Sequence, residues 1–160
     1  MQKRMCFFLS MLCLIAPLLS FISPKQGASE IEIAKEVHTL VNNYRRAQGL
    51  DALIVRPELN AIASRHSEDM AAGRVAFSHE GFDGRVDAVR KYAKVPYRVA
   101  ENLYATYPHQ TRIARDALRD WLKSPGHKEN IHGRWRYTGI SVVKNRKGEY
   151  YITQLFVGKQ

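Results

Sequence analysis

The sequence predicts an α+β domain in which helices pack on a small antiparallel sheet. Two stretches in the first half carry apolar residues at helical spacing, with proline and glycine where such helices would begin and end. The last part of the chain is rich in tyrosine, isoleucine and valine, which favour strands. A length of 160 residues and a hydrophobic fraction of 45% fit one globular domain with a substantial core.

Two helices are predicted first. One ends at Gly49, which can supply the C-terminal stop, and its buried side combines Ile33, Val37, Leu40, Val41 and Tyr44. The next begins at Pro57, because proline is favoured at the first helical position, and ends at Gly73. Its apolar stripe consists of Leu59, Ile62, Ala63, His66 and Met70. Since His66 lies within that stripe, we expect a core or cleft-wall histidine there and not a ligand.

Two shorter helices are predicted further along. One covers residues 85–92, after an Asp-Gly turn, and the other covers residues 111–122 with Thr111 as its N-cap. Pro125, with the glycine after it, breaks the second of these helices. The segment 95–108 holds two prolines, so it is predicted to be extended chain and loop.

Two strands complete the predicted elements. They cover residues 139–144 and 149–157 and are separated by a turn at 145–148 that carries asparagine and glycine. A short turn between two strands favours an antiparallel pair. No internal repeat or low-complexity segment interrupts the domain.

The N-terminus has the pattern of a secretory signal. Two basic residues precede an apolar run over residues 5–22, and a small-residue, turn-prone exit follows. We therefore predict a signal peptide over residues 1–28, without a clean Ala-x-Ala site to fix the cut, and a domain over residues 29–160. Pro17 inside the run favours a signal, although an uncleaved membrane anchor is the alternative. The expected location is secreted or periplasmic, or membrane-anchored if the signal stays.

The cysteines support a domain held together by packing alone. The sequence has 2 of them, Cys6 and Cys13, and both lie inside the predicted signal. After cleavage the domain would have neither a disulfide nor a cysteine nucleophile.

The charge is strongly basic, with a formal net value of +10. Part of it forms one face of the fourth predicted helix: Arg112, Arg115, Arg119 and Lys123. This face would either attract an anionic envelope surface or be the solvated side of an ordinary amphipathic helix. Nucleic acid is not an expected partner, because an exported protein seldom meets it and no aromatic-rich binding motif is present.

Three side chains stand out for chemistry. His79, Glu101 and His127 are separated by 22 and 26 residues, so only a folded domain can bring them together. Two imidazoles and one carboxylate match an open zinc site with three protein ligands, or an acid/base site. A hydrogen-bonded cluster that only braces the loops is the structural alternative.

A series of short segments lies along the chain in a recognisable order. They are Asn42-Asn43-Tyr44-Arg45, Gly49-Leu50, Arg65-His66-Ser67-Glu68-Asp69-Met70, Ser78-His79, Gly84-Arg85, Glu101-Asn102-Leu103, Trp121, Ser124-Pro125-Gly126-His127, Asn130-Ile131 and Tyr137-Thr138-Gly139-Ile140. This series resembles the CAP superfamily of cysteine-rich secretory proteins, antigen 5 and pathogenesis-related proteins. The short Ser-Pro-Gly-His form is similar to its bacterial SCP-like branch, and the resemblance covers residues 33–158. It implies a three-layer α-β-α sandwich with the two histidines and the acid in a cleft over the sheet.

One position departs from the family pattern. Many eukaryotic relatives have a second acidic residue three positions after the tryptophan, where this chain has Ser124. The cleft would therefore hold three polar groups instead of four, with one negative charge fewer and a weaker affinity for cations. Ser124 and Asn102 are the predicted neighbours of the cleft.

Three functions remain open at this level. The first is a secreted binding module for a lipid, sterol or cell-surface glycan, in which the cluster holds the cleft or a divalent cation such as zinc. The second is a hydrolase in which Glu101 is the general base beside a metal or the histidine pair. The third is an interaction domain with the cluster as a brace. Neither a Gly-x-Ser-x-Gly elbow nor a His-Glu-x-x-His helix is present.

Overall fold

Helices and strands alternate along the described part of the chain, which is residues 29–92, 97–107 and 111–159 of a computed structural model. The predicted signal, with both cysteines, lies outside these residues. The elements in chain order are α1 (Glu30–Ala47), β1 (Ile54–Val55), α2 (Pro57–Ala71), α3 (Phe82–Tyr92), β2 (Tyr97–Ala105), α4 (Ile113–Lys123), α5 (Pro125–His132), β3 (Tyr137–Lys144) and β4 (Tyr150–Lys159).

The four strands form one sheet in the order β1-β3-β4-β2. The three long strands are antiparallel, as predicted: β4 pairs with β3 on one side and with β2 on the other. The two-residue strand β1 adds a parallel pairing, Ile54 with Tyr137 and Val55 with Thr138, so the sheet is mixed. A strand of two residues is too short to leave a periodic signal in the sequence.

Helices cover both faces of the sheet and complete an α-β-α sandwich. Because successive side chains of a strand point to opposite faces, Phe156 of β4 packs towards α1, α4 and α5, whereas its neighbours Leu155 and Val157 pack towards α2 and α3. Both layers are close-packed. At Gly139 an added Cβ would lie 2.3 Å from the carbonyl carbon of Leu59, so α2 rests almost directly on the backbone of β3. The predicted fold class and layers are confirmed.

The ends of the first two helices agree with the sequence. Gly49 follows α1 with φ of +72° and Gly73 follows α2 with φ of +68°, a backbone region that favours glycine. The N-cap of α1 is Ser29, whose hydroxyl accepts a hydrogen bond from the amide of Glu32 while the Glu32 carboxylate accepts one from the Ser29 amide.

Four local predictions need correction. The segment around Glu101, predicted as extended chain and loop, is the nine-residue strand β2, because the two prolines that favoured a loop, Pro96 and Pro108, stand outside its bounds. Helix α3 begins at Phe82, three residues early. Thr111 does not cap α4, whose N-cap is Arg112 without a side-chain hydrogen bond. Pro125 ends α4 but also occupies the first position of a further helix, α5, so His127 lies in a helical turn.

The outer edge of β3 is paired by β1 only at its beginning. Further along, the amide of Ile140 donates to the side-chain oxygen of Asn60 in α2 at 2.9 Å. The amide of Lys144 donates to the Glu30 carboxylate of α1 at 3.4 Å. Side chains from the two flanking helices thus take hydrogen bonds that a neighbouring strand would otherwise accept. Among the described residues no helix is long and apolar enough to cross a membrane.

Candidate functional site

The site is built around the carboxylate of Glu101 on strand β2. Its side chain is only 1% exposed, and a buried carboxylate requires a compensating partner. Arg85 of α3 is that partner. Its Nε lies 2.6 Å from Oε2 and its Nη2 lies 2.7 Å from Oε1, which is a two-pronged contact between guanidinium and carboxylate.

His79 lies in the loop between α2 and α3 and contacts the same carboxylate. Its Nδ1 is 2.8 Å from Oε1 of Glu101, and about half of its side chain is exposed. A carboxylate paired with arginine can only accept hydrogen bonds, so Nδ1 must carry the proton. The other ring nitrogen, Nε2, is then an unprotonated lone pair whenever the imidazole is neutral. Glu101 therefore fixes the tautomer of His79.

Arg85 also holds the loop that carries His79. Its Nη1 donates to the carbonyl oxygen of Glu80 at 3.0 Å, and its Nη2 donates to that of His79 at 3.4 Å. One guanidinium thus joins α3, β2 and the loop. Gly84-Arg85 belongs to the family pattern, but the sequence indicates no role for Arg85, because nothing local points to a partner 16 residues away.

His127 enters the site from the first turn of α5. Its ring centroid is 6.1 Å from that of His79, at an interplanar angle of 48°. Burial, and then the nearby charge of His79, lowers the pKa of His127, so its imidazole is neutral at pH 7. The structure therefore brings all three predicted residues together: His79 contacts Glu101, and His127 faces His79.

Two asparagines hold the backbone beneath these side chains. The fully buried Asn102 donates from Nδ2 to the carbonyl oxygen of His127 at 3.0 Å. Asn130 of α5 donates to the carbonyl oxygen of Glu101 at 3.1 Å and to the side-chain oxygen of Asn102 at 2.9 Å. Asn102, next to the cleft, thus positions α5 against β2. Asn130 also positions these two elements, although the sequence indicates no role for it.

A cavity of about 370 Å³ lies beside the histidine pair. Trp121 is fully buried below it and donates from Nε1 to the carbonyl oxygen of Leu103 at 2.8 Å. Ser124 lines the cavity, as predicted. Asp120 lines it too, but its carboxylate accepts hydrogen bonds from Arg119, which lower the pKa of Asp120. The lining residues are Phe77, Ser78, His79, Leu103, Tyr104, Ala105, Asp120, Trp121, Ser124 and His127.

The three predicted ligands are not arranged as a three-ligand metal centre. Both oxygens of Glu101 are engaged, one by Arg85 alone and the other by Arg85 and His79. Within residues 29–92, 97–107 and 111–159, no three side chains of His, Cys, Asp or Glu are grouped closely enough to hold a metal ion. Two imidazoles remain as potential ligands, and they face each other at the cavity.

His66 is a core histidine, as predicted. It is 5% exposed, and its Nε2 lies 3.0 Å from the carbonyl oxygen of Ser78, which requires a proton on that nitrogen. Burial, followed by the positive charge of Arg85, lowers the pKa of His66. It supports the loop before His79 from below.

The arginines of α4 behave as an ordinary solvated face. Arg115 pairs with Glu36 of α1 at 3.5 Å, and Arg119 pairs with Asp116 at 2.5 Å and with Asp120 at 2.8 Å. Their charges are largely neutralised by neighbouring carboxylates. The ion pairs of Arg115 and Arg119 fit a solvated face, and attraction of the whole face to an anionic surface stays a prediction.

Comparisons with known proteins agree with this architecture. The chain matches the model of the cysteine-rich secretory protein family, CAP, over residues 38–156. It resembles the structure of an outer surface protein of Borrelia burgdorferi with a TM-score of 0.68 and 17% identity, over 84% of this chain and 98% of that chain.

Two further bacterial structures are similar. An extracellular protein of Bacillus anthracis containing an SCP domain gives a TM-score of 0.66 at 26% identity, over 81% of this chain and 41% of that chain. A cysteine-rich secretory protein of Staphylococcus aureus gives 0.63 at 17% identity, over 82% and 40%. The chain thus spans less than half of each of these two proteins. No protein of curated function matches it. Since the family model covers most of the chain and the fold agrees, the chain belongs to the cysteine-rich secretory protein family, CAP.

Proposed function

We propose that this protein is an extracytoplasmic binding module whose cleft takes a lipid or sterol and a divalent cation. The location is supported by the predicted signal and by the structural relatives, which include an outer surface protein and an extracellular protein. The ligand class is supported by the cavity, where Phe77, Leu103, Ala105 and Trp121 supply an apolar lining. A cell-surface glycan is the alternative ligand, because the lining also carries the polar side chains Ser78, Tyr104 and Ser124.

The proposal rests on one observation: both oxygens of the buried Glu101 carboxylate already have hydrogen-bond donors. A general base needs a free carboxylate oxygen within reach of a water or substrate. Here both oxygens are buried and bonded to Arg85 and His79, so Glu101 is better suited to orient His79 than to accept a proton. This supports a binding role over the hydrolase alternative.

The proposed cation, zinc or another divalent ion, would be held by Nε2 of His79 and by the imidazole of His127. Glu101 would not be a direct ligand; as hydrogen-bond acceptor behind His79 it would fix the tautomer and the orientation of the imidazole. The bound ion would supply a positive charge that fixes the polar head of a ligand at the mouth of the cavity. Two protein ligands and no carboxylate predict a weaker site than a three-ligand zinc centre.

Calorimetric titration of zinc into the metal-stripped protein tests the cation. We expect His79→Ala and His127→Ala each to weaken zinc binding at least tenfold, and Glu101→Gln to weaken it by about tenfold, the usual range for an outer hydrogen-bond partner. His132→Ala is the matched control, because His132 lies in the same helix as His127 but bonds to Tyr44 instead. Unchanged zinc binding in both alanine variants would remove the cation from the proposal.

Displacement of a fluorescent fatty acid or sterol tests the apolar ligand. Phe77 lines the cavity and is 52% exposed, so Phe77→Ser is expected to weaken binding without loss of stability. Ile31→Ser is the control, because Ile31 is 68% exposed on α1 and does not line this cavity. Equal effects of the two substitutions would mean that the cleft is not the ligand site.

The two alternative functions give different results in the same variants. A hydrolase would lose product formation in Glu101→Gln while the fold and ligand binding persist. A pure brace would lose stability in that variant, with neither zinc nor lipid binding in the wild type.

A further inference from the structure

We propose a second binding site, for a phosphate-bearing anion, at the end of the sheet where β1 ends and β3 begins. We call it the arginine–tyrosine site; it consists of Arg56, Arg136, Tyr92, Tyr97 and Tyr137. It is separate from the cleft. Tyr97 and Glu101 are four residues apart on β2, which corresponds to about 13 Å along the strand.

Two guanidinium groups meet on one aromatic ring. The Cζ atom of Arg56 is 4.4 Å from the ring centroid of Tyr137, and that of Arg136 is 5.4 Å from it. The two positive charges therefore lie within one Debye length of each other, about 10 Å at 0.1 M salt, and repel. A guanidinium stacked on a ring presents its N–H donors at its edges, and Arg56 uses one of them for a hydrogen bond to Tyr137.

The part of the chain that the structure describes gives this pair no carboxylate partner. Among the described residues, neither Arg56 nor Arg136 has an acidic side chain within ion-pair distance, whereas Arg85, Arg115 and Arg119 all do. Two exposed arginines on one ring without a carboxylate partner repel each other weakly. A bound anion would relieve the repulsion.

A cavity lined by Arg56 and Tyr137, but not by Arg136, gives the anion a defined position. It has a volume of about 280 Å³, and its walls include three tyrosines, Tyr92, Tyr97 and Tyr137. Tyr92 is 65% exposed, so its hydroxyl is accessible to a ligand. The hydrogen bond between Arg56 and Tyr137, followed by the charge of Arg136, lowers the pKa of Tyr137, which is consistent with a positive potential there.

The backbone holds the two arginines rigidly. The amide of Arg56 donates to the carbonyl oxygen of Thr138 at 3.0 Å, and the amide of Arg136 donates to that of Val157 at 3.0 Å. The carbonyl oxygen of Arg136 in turn accepts from the amide of Ile54 at 2.9 Å. Both residues thus sit on the ordered ladder of the sheet, which limits the entropy lost on binding.

The chemistry of the site favours phosphate over a carboxylate. One arginine satisfies both oxygens of a carboxylate, whereas Arg56 and the tyrosine hydroxyls of the cavity offer donors for the three terminal oxygens of a phosphate monoester, and Arg136 adds its charge from beside the Tyr137 ring. The cavity has room for the group that carries the phosphate. Glu58 lines the same cavity and opposes the anion, so it sets an upper limit on affinity.

Titration with inorganic phosphate at low ionic strength is the direct test, using the whole protein. We expect saturable binding, weakened at least tenfold in the double variant Arg56→Gln, Arg136→Gln. The matched control is Arg115→Gln, which removes the same charge from α4. Glu58→Gln should bind phosphate more tightly, and this variant decides the matter if the double variant fails to fold.

Vesicles of phosphatidylcholine, with or without phosphatidic acid, distinguish the source of the phosphate monoester. Binding to the phosphatidic acid vesicles that needs Arg56 and Arg136 identifies a lipid headgroup, whereas binding of inorganic phosphate alone identifies a soluble phosphate ester. Three results would overturn the site: no binding of either probe by the wild type, equal weakening in Arg115→Gln, or unchanged affinity in Glu58→Gln.

Discussion

The cleft and the arginine–tyrosine site lie at different positions along β2, and they treat charge in opposite ways. In the cleft the arginine is buried and bonded twice to a buried carboxylate, and the pair orients a histidine. At the sheet end the arginines are exposed, stacked on tyrosine and without a carboxylate partner in the described residues. A compensated charge positions other groups, whereas an uncompensated one is available to a ligand. The Arg85–Glu101 pair therefore has a positioning role, whereas Arg56 and Arg136 are the proposed binding groups.

The largest effect should come from breaking the compensated pair. Arg85→Met leaves the Glu101 carboxylate buried without its partner, and we expect a loss of about 3–5 kcal/mol in the free energy of unfolding, measured with urea. Arg90→Met is the control on the same helix; its exposed pair with Asp87 at 3.1 Å should contribute less than about 1 kcal/mol. Adding Glu101→Gln to Arg85→Met should recover part of the loss. Equal stability of Arg85→Met and the wild type would show that Glu101 does not depend on Arg85.

A smaller effect is expected on zinc affinity when acid protonates the imidazoles of the cleft. Zinc binds neutral imidazole, and imidazole has an ordinary pKa of about 6.5. Because burial lowers the pKa of His127, this ring stays neutral further into the acid range than an exposed one. Calorimetry at pH 7.5 and 5.5 should show zinc affinity falling about ten- to a hundredfold. Constant affinity over this range would contradict ligation by the two histidines.

His66 should make the fold itself sensitive to acid. Its pKa is lowered in the folded state from 6.5 by burial, and then by Arg85, so the unfolded chain binds the proton more readily. Its contribution to stability is therefore complete above pH 6.5 and is lost as the pH falls through the lowered folded-state pKa. Melting temperatures from pH 7.5 down to pH 5 should fall less steeply in His66→Gln than in the wild type. If the melting temperatures of His66→Gln and the wild type fall equally with pH, the acid sensitivity belongs to other groups.

The smallest effect on stability is expected at the sheet end. Removing one of two repelling, exposed charges has little cost, so Arg136→Gln should leave the free energy of unfolding within about 0.5 kcal/mol of the wild type or raise it. Urea unfolding measures this directly. A loss as large as that of Arg85→Met would abolish the contrast between the two regions and make Arg136 a structural residue.

Local patterns in the sequence were sufficient for much of the fold. The spacing of Val37 and Val41, the glycine stops and the tyrosine-rich tail predicted α1, α2, β3 and β4 because these signals act within a few residues. Helix α5 was missed because the proline that ends one helix can equally begin the next. Strand β2 was predicted only as extended chain and loop over residues 95–108, because the two prolines of that segment stand outside the strand.

The residues of the candidate site were predictable from the sequence, but several contacts that hold them in place were not. His79, Glu101 and His127 followed from residue type and from the family pattern, and the fold brings them together. The role of Arg85 depends on α3 lying against β2, a contact between distant segments that no local signal reveals. The same holds for the arginine–tyrosine site, where Arg56 and Arg136 are 80 residues apart in the chain.

The short strand β1 has a consequence for how copies of the protein behave at high concentration. An open strand edge invites another chain to add to the sheet, and β3 would be such an edge beyond its first two residues. Asn60 and Glu30 occupy the outward amides of Ile140 and Lys144, and two helices flank the opening. Asn60→Leu should therefore preserve the fold but promote concentration-dependent aggregation, visible by light scattering. The described residues contain no cysteine, so these two side chains protect the edge of β3 without a covalent cross-link.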